Sequence, residues 1–436
     1  MDYLENVQGG KNKKNTYAEK LNITLYLTSK TISLLGTSIY NFALSLFILK
    51  MTGSGASFAL NVLIGMLPRI VLGPFAGVLA DRMDRKKLTI AFDILSGLIV
   101  AGLLGYSEMA GFKILQIYIV SFLLSAINVF YDTSLLSSLP DLVDDRSLVK
   151  INSFTSTAGA IAGVISPIIA GVIFGMVSIY LFLILNAASF FISAALEFFI
   201  NFHFNQKKDS SAIPDMKNLK NLKQEISEII SFLKQQKIIC SLLKYVLIIN
   251  LFLNACLNVV YPYIINTVLK MNSTHFGIFE GCYFTGMIVC SIILGSRKES
   301  RKTTKELAAQ LALIGIIVIM VGLPVLGLPV LNLTVVLVAY NSILLLGLGV
   351  VLVAINTPIL VALQRLTPEE LRGRLTGILG TLANGIAPLG IIITGLTIDR
   401  IHPFIILSVS GLVIILSAVF MYRDKKANLM QAIHGL

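Results

Sequence analysis

The sequence predicts an all-α polytopic membrane protein with twelve transmembrane helices in two six-helix halves. Of its 436 residues, 56% are hydrophobic and 13% are charged, and the mean hydropathy is +0.83. A soluble domain carries about 25% charged residues, so this composition excludes an ordinary soluble fold. Apolar runs of about 20 residues, the length that crosses a bilayer core, recur along the whole chain. The runs are continuous rather than alternating, which predicts helices and excludes a membrane β-barrel.

Hydrophobicity sets the limits of the predicted helices. The tenth run is the longest, with room for a span and a kink or a dipping loop. A polar stretch follows the sixth run, and its apolar residues keep helical spacing among lysines and glutamates. This pattern predicts an amphipathic helix on the membrane surface. The predicted spans are 22–49, 57–80, 88–107, 113–138, 150–175, 178–202, 240–267, 275–295, 305–326, 329–363, 372–397 and 403–422.

These limits divide the chain into two bundles joined by a loop and flanked by tails. The first twenty residues are polar and rich in lysine, so we expect no cleaved signal peptide. The predicted parts are a cytoplasmic tail (1–21), a six-helix bundle (22–202), a central cytoplasmic loop with the surface helix (203–237), a second bundle (238–422) and a cytoplasmic tail (423–436).

The basic residues predict the orientation. If both termini, the central loop and the turns after even-numbered spans face one side, 29 of the 35 Lys and Arg residues lie there. That side should be cytoplasmic. The net charge of +12 then reflects topology and anionic lipid, so we expect no nucleic-acid partner. We expect the chain in the plasma membrane, which in a bacterium is the inner membrane.

The two halves carry an internal repeat. Residues 132–151 and 356–375 align at a constant offset of 224, with matching threonine and leucine positions and a charged turn. A proline within the following span, Pro167 or Pro388, accompanies each segment. Duplicated halves are a recurrent design of transporters, whose substrate site lies where the repeats meet.

Other chemistries lack their residues. The four cysteines lie in apolar runs without the spacing of metal ligands, and three of the four histidines lie at span ends. We therefore expect no metal, no disulfide and no cofactor. The sequence contains no GxxxxGK[ST] nucleotide-binding motif and no HExxH motif, so it predicts neither an ATPase nor another enzyme. Transport would then depend on an ion gradient or on the gradient of the solute itself.

A charged hairpin, GVLADRMDRKKL at 77–88, separates the second and third spans. It resembles the loop 2–3 signature of the major facilitator superfamily, although Asp84 stands where the signature usually has a glycine. That departure, together with LPDLV at 139–143 and TPEELRGRL at 367–375, is similar to the macrolide-efflux-like and siderophore-exporter-like branch. The residues that fit the signature and carry the implied gate are Gly77, Asp81, Arg82, Arg85 and Lys86.

The resemblance implies a gate on the cytoplasmic side. Asp81 would meet the N-terminal end of the eleventh helix, near residues 371–375, where the helix dipole favours a carboxylate. Arg85 would pair with Asp81 and with an acid at the inner end of the fourth helix, which Asp141 matches best. The resemblance also implies a monomer.

The fifth span carries a second similarity. AGVISPIIAG at 162–171 resembles the antiporter signature of exporters, with Gly163, Pro167 and Gly171 in place. Small residues with a proline allow close helix approach and a kink, so helix packing alone is an alternative explanation. Pro388 lies in the corresponding part of the second half.

In the superfamily, the first, fourth, seventh and tenth helices line the central cavity, and these spans carry polar residues at helical spacing here. A water-filled cavity would satisfy such groups, and hydrogen bonds between helices are the alternative. Arg69 in the second span follows a proline and would serve an outward-facing pocket or a cluster of carbonyl groups. The cavity candidates are Lys30, Thr37, Asn41, Arg69, Asn128, Asn250, Asn254, Asn258, Asn341 and Asn356.

Ionisable residues inside the spans predict the coupling site. Lys30 and Asp132 could neutralise each other, and binding of a proton or substrate could break the pair. Asp132 is the first candidate for the proton carrier and Glu280 the second, while a static ion pair is the alternative. Asp93 and Glu197 lie near span ends, so we expect them to reach the basic interface and to be structural.

These features predict a secondary active exporter of amphipathic drug-like or secondary-metabolite compounds. It would work by alternating access, in which the two halves close one side of the cavity while they open the other, with protons as the coupling ion. Its partners would be a small-molecule substrate, protons and the lipid bilayer. A transporter of siderophores, peptides or lysolipids remains an alternative, and so does a receptor or scaffold that does not transport. A scaffold would not need polar rows in all four cavity helices.

Overall fold

The computed structural model describes residues 2–144, 147–205, 237–296, 303–327, 333–366 and 385–423. Every regular element in these ranges is a helix, and none is a strand. The predicted all-α class is therefore confirmed. The bilayer core contains no water that could bind the backbone N–H and C=O groups, and helices pair these groups internally.

Each of the twelve predicted spans contains a described helix, which we label in chain order. A four-residue helical turn, Leu139–Leu142, follows α4, and α7 continues through two π-helical turns to Val268. The helices are α1 Asp2–Thr52, α2 Gly55–Arg82, α3 Arg85–Ala110, α4 Ile114–Ser137, α5 Leu148–Met176, α6 Ile179–Phe198, α7 Lys237–Ala255, α8 Ser273–Ser296, α9 Thr304–Gly322, α10 Thr334–Leu366, α11 Gly385–Thr397 and α12 Pro403–Arg423.

Length and composition identify the membrane-crossing helices. Within the described ranges, ten helices are long and apolar enough to cross a membrane, and α11 is a shorter apolar helix. Helix α10 is 33 residues long and has Pro358 in its interior, in agreement with the extra length predicted for the tenth span. The predicted surface helix lies at residues 226–233, outside the described ranges.

The chain forms two compact units. The first contains Met1–Leu44 and Ile64–Pro214, and the second contains Ser45–Leu63 and Asp215–Leu436. The end of α1 and the start of α2 therefore pack with the second unit, although both helices begin the first predicted bundle.

A buried cluster closes one end of the first unit. Tyr26, Tyr131 and Leu135 belong to its apolar core. Asn22 on α1, which is 3% exposed, donates to the carbonyls of Leu142 and Asn201, each at 3.1 Å. One amide of α1 thus binds the segments that follow α4 and α6, where carbonyls lack a partner within a helix.

Close approach of α8 and α10 organises the second unit. A Cβ built on Gly286 would lie 2.1 Å from the carbonyl oxygen of Leu346, and one on Gly349 would lie 2.0 Å from that of Tyr283. Only glycine fits at these two points, and small residues at helix interfaces permit such packing in membranes.

Candidate functional site

An ion-pair network lies inside the first unit. Lys30 on α1 forms an ion pair and hydrogen bond with Asp132 on α4. Arg69 on α2 reaches the other oxygen of Asp132, with 3.4 Å between Nη2 and Oδ2. The Lys30 side chain is 13% exposed and that of Asp132 is 31% exposed. The predicted Lys30–Asp132 pair is therefore present, and solvent can reach the carboxylate.

Two further acids lie beside this network. The Tyr131 hydroxyl donates to Glu197 at 2.8 Å, and the Ser33 hydroxyl donates to Asp93 at 3.1 Å. Asp93 is 2% exposed and Glu197 is fully buried. The expectation that both reach the basic interface is wrong. Their helices turn these side chains into the unit, where hydroxyl groups bind them.

Lys30 and Tyr131 connect the Lys30–Asp132 pair to the two buried acids. The Lys30 ammonium lies 5.2 Å from the centre of the Tyr131 ring, which is within the range of a cation–π interaction. Oδ2 of Asp93 and Oε2 of Glu197 are buried without a hydrogen-bond partner among the described residues. We call Lys30, Asp93, Asp132 and Glu197 the charged cluster. Charges in a bilayer need a partner or a role, so this cluster is the first candidate for the functional site.

Sequence reasoning missed Glu197 as a member of the cluster, although the sequence contains a signal. Ser189, Ser193 and Glu197 recur every four residues on the sixth span, which places them on one helix face. Ser193 donates to the backbone carbonyl of Ser29 on α1 at 3.1 Å, so this face packs on the helix that carries Lys30.

The hairpin between α2 and α3 has two structural devices, of which the first is a helix cap. Asp84 is the N-cap of α3, and its carboxylate accepts from the backbone of Lys86 at 2.9 Å and of Lys87 at 3.3 Å. This explains the residue that departs from the family signature, because aspartate is a preferred N-cap and complements the helix dipole.

Arg85 forms the predicted contact with the fourth helix. Its Nη1 lies 2.7 Å from Asp141 and 2.8 Å from the carbonyl oxygen of Ser137, and its Nε bonds to the carbonyl of Ala80. Lys86 donates to the carbonyls at the end of α6, those of Phe198 and Ile200. The basic residues therefore bind helix C-terminal ends, where carbonyls lack partners.

The rest of the predicted gate is only partly described. Gly77 has open space around the position of a Cβ, and Arg82 is exposed. The side chain of Asp81 and residues 371–375 lie outside the described residues. Their predicted contact therefore stays a prediction.

The asparagine row of α7 bonds along its own helix. The side-chain amides of Asn250, Asn254 and Asn258 donate to the carbonyls of Val246, Asn250 and Asn254, each at 2.9 Å. These bonds do not join α7 to another helix. Oδ1 of Asn250 and Oδ1 of Asn254 also accept from the next amide of the row, at 3.1 and 3.5 Å. Asn258 is exposed and the other two are half-buried, so Asn258 is the member of the row most open to a polar solute.

The remaining polar candidates divide by burial. Asn341 on α10 is 1% exposed and accepts from the Tyr261 hydroxyl at 3.3 Å, so it joins two helices rather than facing a cavity. Glu280 on α8 is half-buried and forms no salt bridge within the described residues. Thr37 and Asn128 are half-buried, and Asn41 and Asn356 are exposed.

The proline motifs lie in regular helices. Pro167 falls within the continuous α5, and the side chains of Gly163 and Pro167 lie outside the described residues. Gly171 and Pro388 are buried. In the described part of the chain, no group of three or more His, Cys, Asp or Glu side chains is placed to hold a metal ion.

Comparison with known families and proteins finds similarities over most of the chain. A family model described as Major Facilitator Superfamily matches residues 27–391. Macrolide efflux protein A of Streptococcus pyogenes is 25% identical over 406 residues, which cover 92% of this chain and 95% of that protein. Macrolide efflux protein A of Enterococcus faecalis is 24% identical over 273 residues, covering 62% of this chain and 81% of that protein.

Solved structures share the fold. The structure of a bacterial homologue of the iron transporter ferroportin, in an inward-facing state, has a TM-score of 0.67 at 17% identity, covering 92% of this chain and 99% of that one. A D-xylose–proton symporter has a TM-score of 0.60 at 13% identity, covering 91% of this chain and 98% of that one. At these identities the likeness concerns the fold alone.

Proposed function

The chain belongs to the major facilitator superfamily of membrane transporters, and from this membership we propose that it exports amphipathic drug-like or secondary-metabolite compounds in exchange for protons. The family match spans residues 27–391, which includes all of α2 to α10. The chain is thus a multi-pass transporter rather than an enzyme. The direction, the coupling ion, the substrate class and transport by alternating access are the proposal.

Similarity to efflux proteins supports the direction and the substrate class. Two relatives named macrolide efflux protein A resemble this chain, one of them over 92% of its length. Macrolides are large amphipathic molecules, and an apolar wall with a few polar groups suits them better than a densely charged site. The half-buried asparagines of α7 and the partly exposed charges near Asp132 would supply such groups.

The network at Asp132 is the observation that carries the coupling. One carboxylate contacts two cations, Lys30 and Arg69, and 31% of its side chain is exposed. A proton that binds Asp132 would neutralise it and weaken both contacts. Binding and release of the proton would then change the packing of α1, α2 and α4, which Lys30, Arg69 and Asp132 connect. Glu280 on α8 is the second candidate for the proton site.

The hairpin contact supports a gate on the cytoplasmic side. Arg85 holds the end of α2 near the end of α4 through Ala80, Ser137 and Asp141. An exposed or partly exposed charge pair contributes only about 1 kcal/mol, so such a contact can form and break within a transport cycle. We assign Asp81 to the same gate on the basis of the family resemblance.

Efflux of a fluorescent dye from intact cells tests the function. Cells that express the chain should extrude the dye faster than cells without it, and a proton uncoupler should abolish the difference. Glu108→Gln changes an exposed acid at the end of α3 and is the matched control for variants of Asp132. Accumulation of the dye by expressing cells would contradict export, and uncoupler-resistant extrusion would contradict proton coupling.

A further inference from the structure

An acid outside the charged cluster holds the start of α2. Asp399 follows α11, and its carboxylate accepts three hydrogen bonds from three consecutive residues. The donors are the Ser54 hydroxyl at 2.6 Å, the Gly55 backbone N–H at 2.7 Å and the Ala56 backbone N–H at 3.2 Å. All four residues belong to the second compact unit.

The bonds satisfy the first turn of α2. The first N–H groups of a helix have no partner within it, and they form the positive end of its dipole. Ser54 already acts as a cap, because its hydroxyl oxygen accepts from the backbone of Ser57 at 3.2 Å. Asp399, which lies 344 positions from Gly55 in the sequence, completes the cap. A helix cap formed only by neighbouring residues would not need Asp399, so this contact also joins α2 to the end of α11.

Packing beside the cap depends on glycine. A Cβ on Gly55 would lie 2.5 Å from Cγ2 of Ile398 and 2.9 Å from Cδ2 of Tyr263. A Cβ on Gly395 would lie 2.6 Å from that of Ala59. The start of α2 therefore fits directly against the ends of α7 and α11.

We propose that Asp399 is a positioning residue of the transport cycle, and that it latches the start of α2 to the end of α11. This proposal rests on the proposed alternating-access function. We call Asp399 with Ser54, Gly55 and Ala56 the external latch, since the charge distribution predicts that Gly55 and Asp399 face the outside. The latch keeps this side closed and opens when a solute leaves.

Two observations distinguish the latch from a permanent contact. Asp399 is exposed, so water can replace its hydrogen bonds at small cost when the contact opens. The chain also passes between the compact units within α2, at Leu63 and Ile64. A movement of the two units against each other must therefore either bend α2 or release its first turns from α11.

The position of the latch complements the predicted cytoplasmic gate. Asp81 lies near the last residue of α2, and the family resemblance directs it to the start of the eleventh helix. Asp399 lies beyond the last residue of α11 and binds the start of α2. Each helix would then carry an acid for the other, at opposite sides of the membrane. The latch and the predicted contact of Asp81 would form in alternation.

Accessibility of a buried thiol tests the latch without any substrate. Ile398→Cys places a thiol at a position that is 2% exposed, in a background whose four native cysteines are replaced by alanine. A membrane-impermeant maleimide should label it about tenfold faster when Asp399→Asn is added, which corresponds to about 1.4 kcal/mol. Arg400→Gln, which removes the neighbouring exposed charge, should leave the rate unchanged. Equal labelling in all three proteins would overturn the proposal.

A reversible crosslink tests the consequence for transport. Oxidation of the variant with Ser54→Cys and Asp399→Cys should form a disulfide and stop dye efflux, and dithiothreitol should restore it. Each single cysteine variant is the control. Full crosslinking with undiminished efflux would show a static contact and contradict the latch.

The two experiments separate the latch from the transport function. If labelling of the Ile398→Cys protein responds to Asp399→Asn while no dye is extruded, the latch stands and the proposed substrate class fails. If dye is extruded while labelling does not respond, the function stands and the latch is wrong.

Discussion

Asp132 shows how a single carboxylate can be both structural and functional. It binds Lys30, whose side chain is 13% exposed, and it remains partly open to solvent at 31%. A sealed ion pair would stabilise little, because desolvation cancels much of the attraction between the charges. An open one can exchange its proton. The sequence predicted this pair, since each residue is a charge within an apolar run.

Replacement of Asp132 should separate coupling from stability. Asp132→Asn leaves Lys30 without its charged partner, so we expect a loss of about 1–3 kcal/mol of stability and the loss of uncoupler-sensitive efflux. The double variant with Lys30→Met should recover the stability but not the efflux. Thermal unfolding in detergent and dye efflux measure the two effects. Efflux of Asp132→Asn that keeps its full sensitivity to the uncoupler would move the proton site to Glu280.

The pair of Arg85 and Asp141 gives a second prediction at this scale. Arg85→Lys keeps the charge but cannot bond simultaneously to Asp141, Ser137 and Ala80. We expect efflux to slow by up to about fivefold, because the loss of about 1 kcal/mol in one state of the cycle changes its population by that factor. Lys87→Gln, an exposed neighbour outside the gate, is the control. Equal rates for both variants would exclude a gating role of Arg85.

At the scale of the helix, sequence periodicity located the elements better than their ends. The first span was predicted at 22–49, whereas α1 extends from Asp2 to Thr52. Hydropathy detects the part of a helix that crosses the membrane, but hydrogen bonding continues beyond it. The π-helical turns of α7 at Cys256–Val260 and Ile264–Val268 were not predicted, because apolar composition does not distinguish them from α-helix.

The close approach of α8 and α10 leads to a prediction about stability. Gly286→Ala and Gly349→Ala each place a Cβ about 2 Å from a backbone oxygen of the other helix, so a helix must move. Overpacking of this kind costs about 1–3 kcal/mol, and the melting temperature should fall by several degrees. Gly102→Ala on α3 meets open space and should keep or raise it. An unchanged melting temperature in both helix-contact variants would show that this contact is not tight.

At the scale of the whole molecule, the sequence predicted the class and the number of spans from hydrophobicity alone. It also placed Arg85 with Asp141, because the family resemblance carries that contact. It did not place Glu197 in the charged cluster or Asp399 at the start of α2. Both depend on contacts between residues 66 to 344 positions apart, which helical spacing in a single span does not reveal.

The compact units also differ from what linear order suggests. Ser45–Leu63 packs with the second half of the chain, because Asp399 caps α2 and glycines admit close contact there. The sequence does not reveal this cap, because a single aspartate and a short segment with one glycine occur often and do not indicate that they are in contact. The charged cluster and the external latch therefore became visible only in three dimensions.

Transport by the purified protein in liposomes is the decisive test of proton-coupled export. With the lumen acidified, we expect a macrolide or fluorescent amphipathic dye to accumulate inside against its gradient, since protons leave in exchange. A protonophore and Asp132→Asn should each abolish accumulation, while Glu108→Gln should not. Accumulation that is the same with and without the pH gradient would contradict proton coupling, and absence of accumulation across amphipathic compounds would contradict the proposed substrate class.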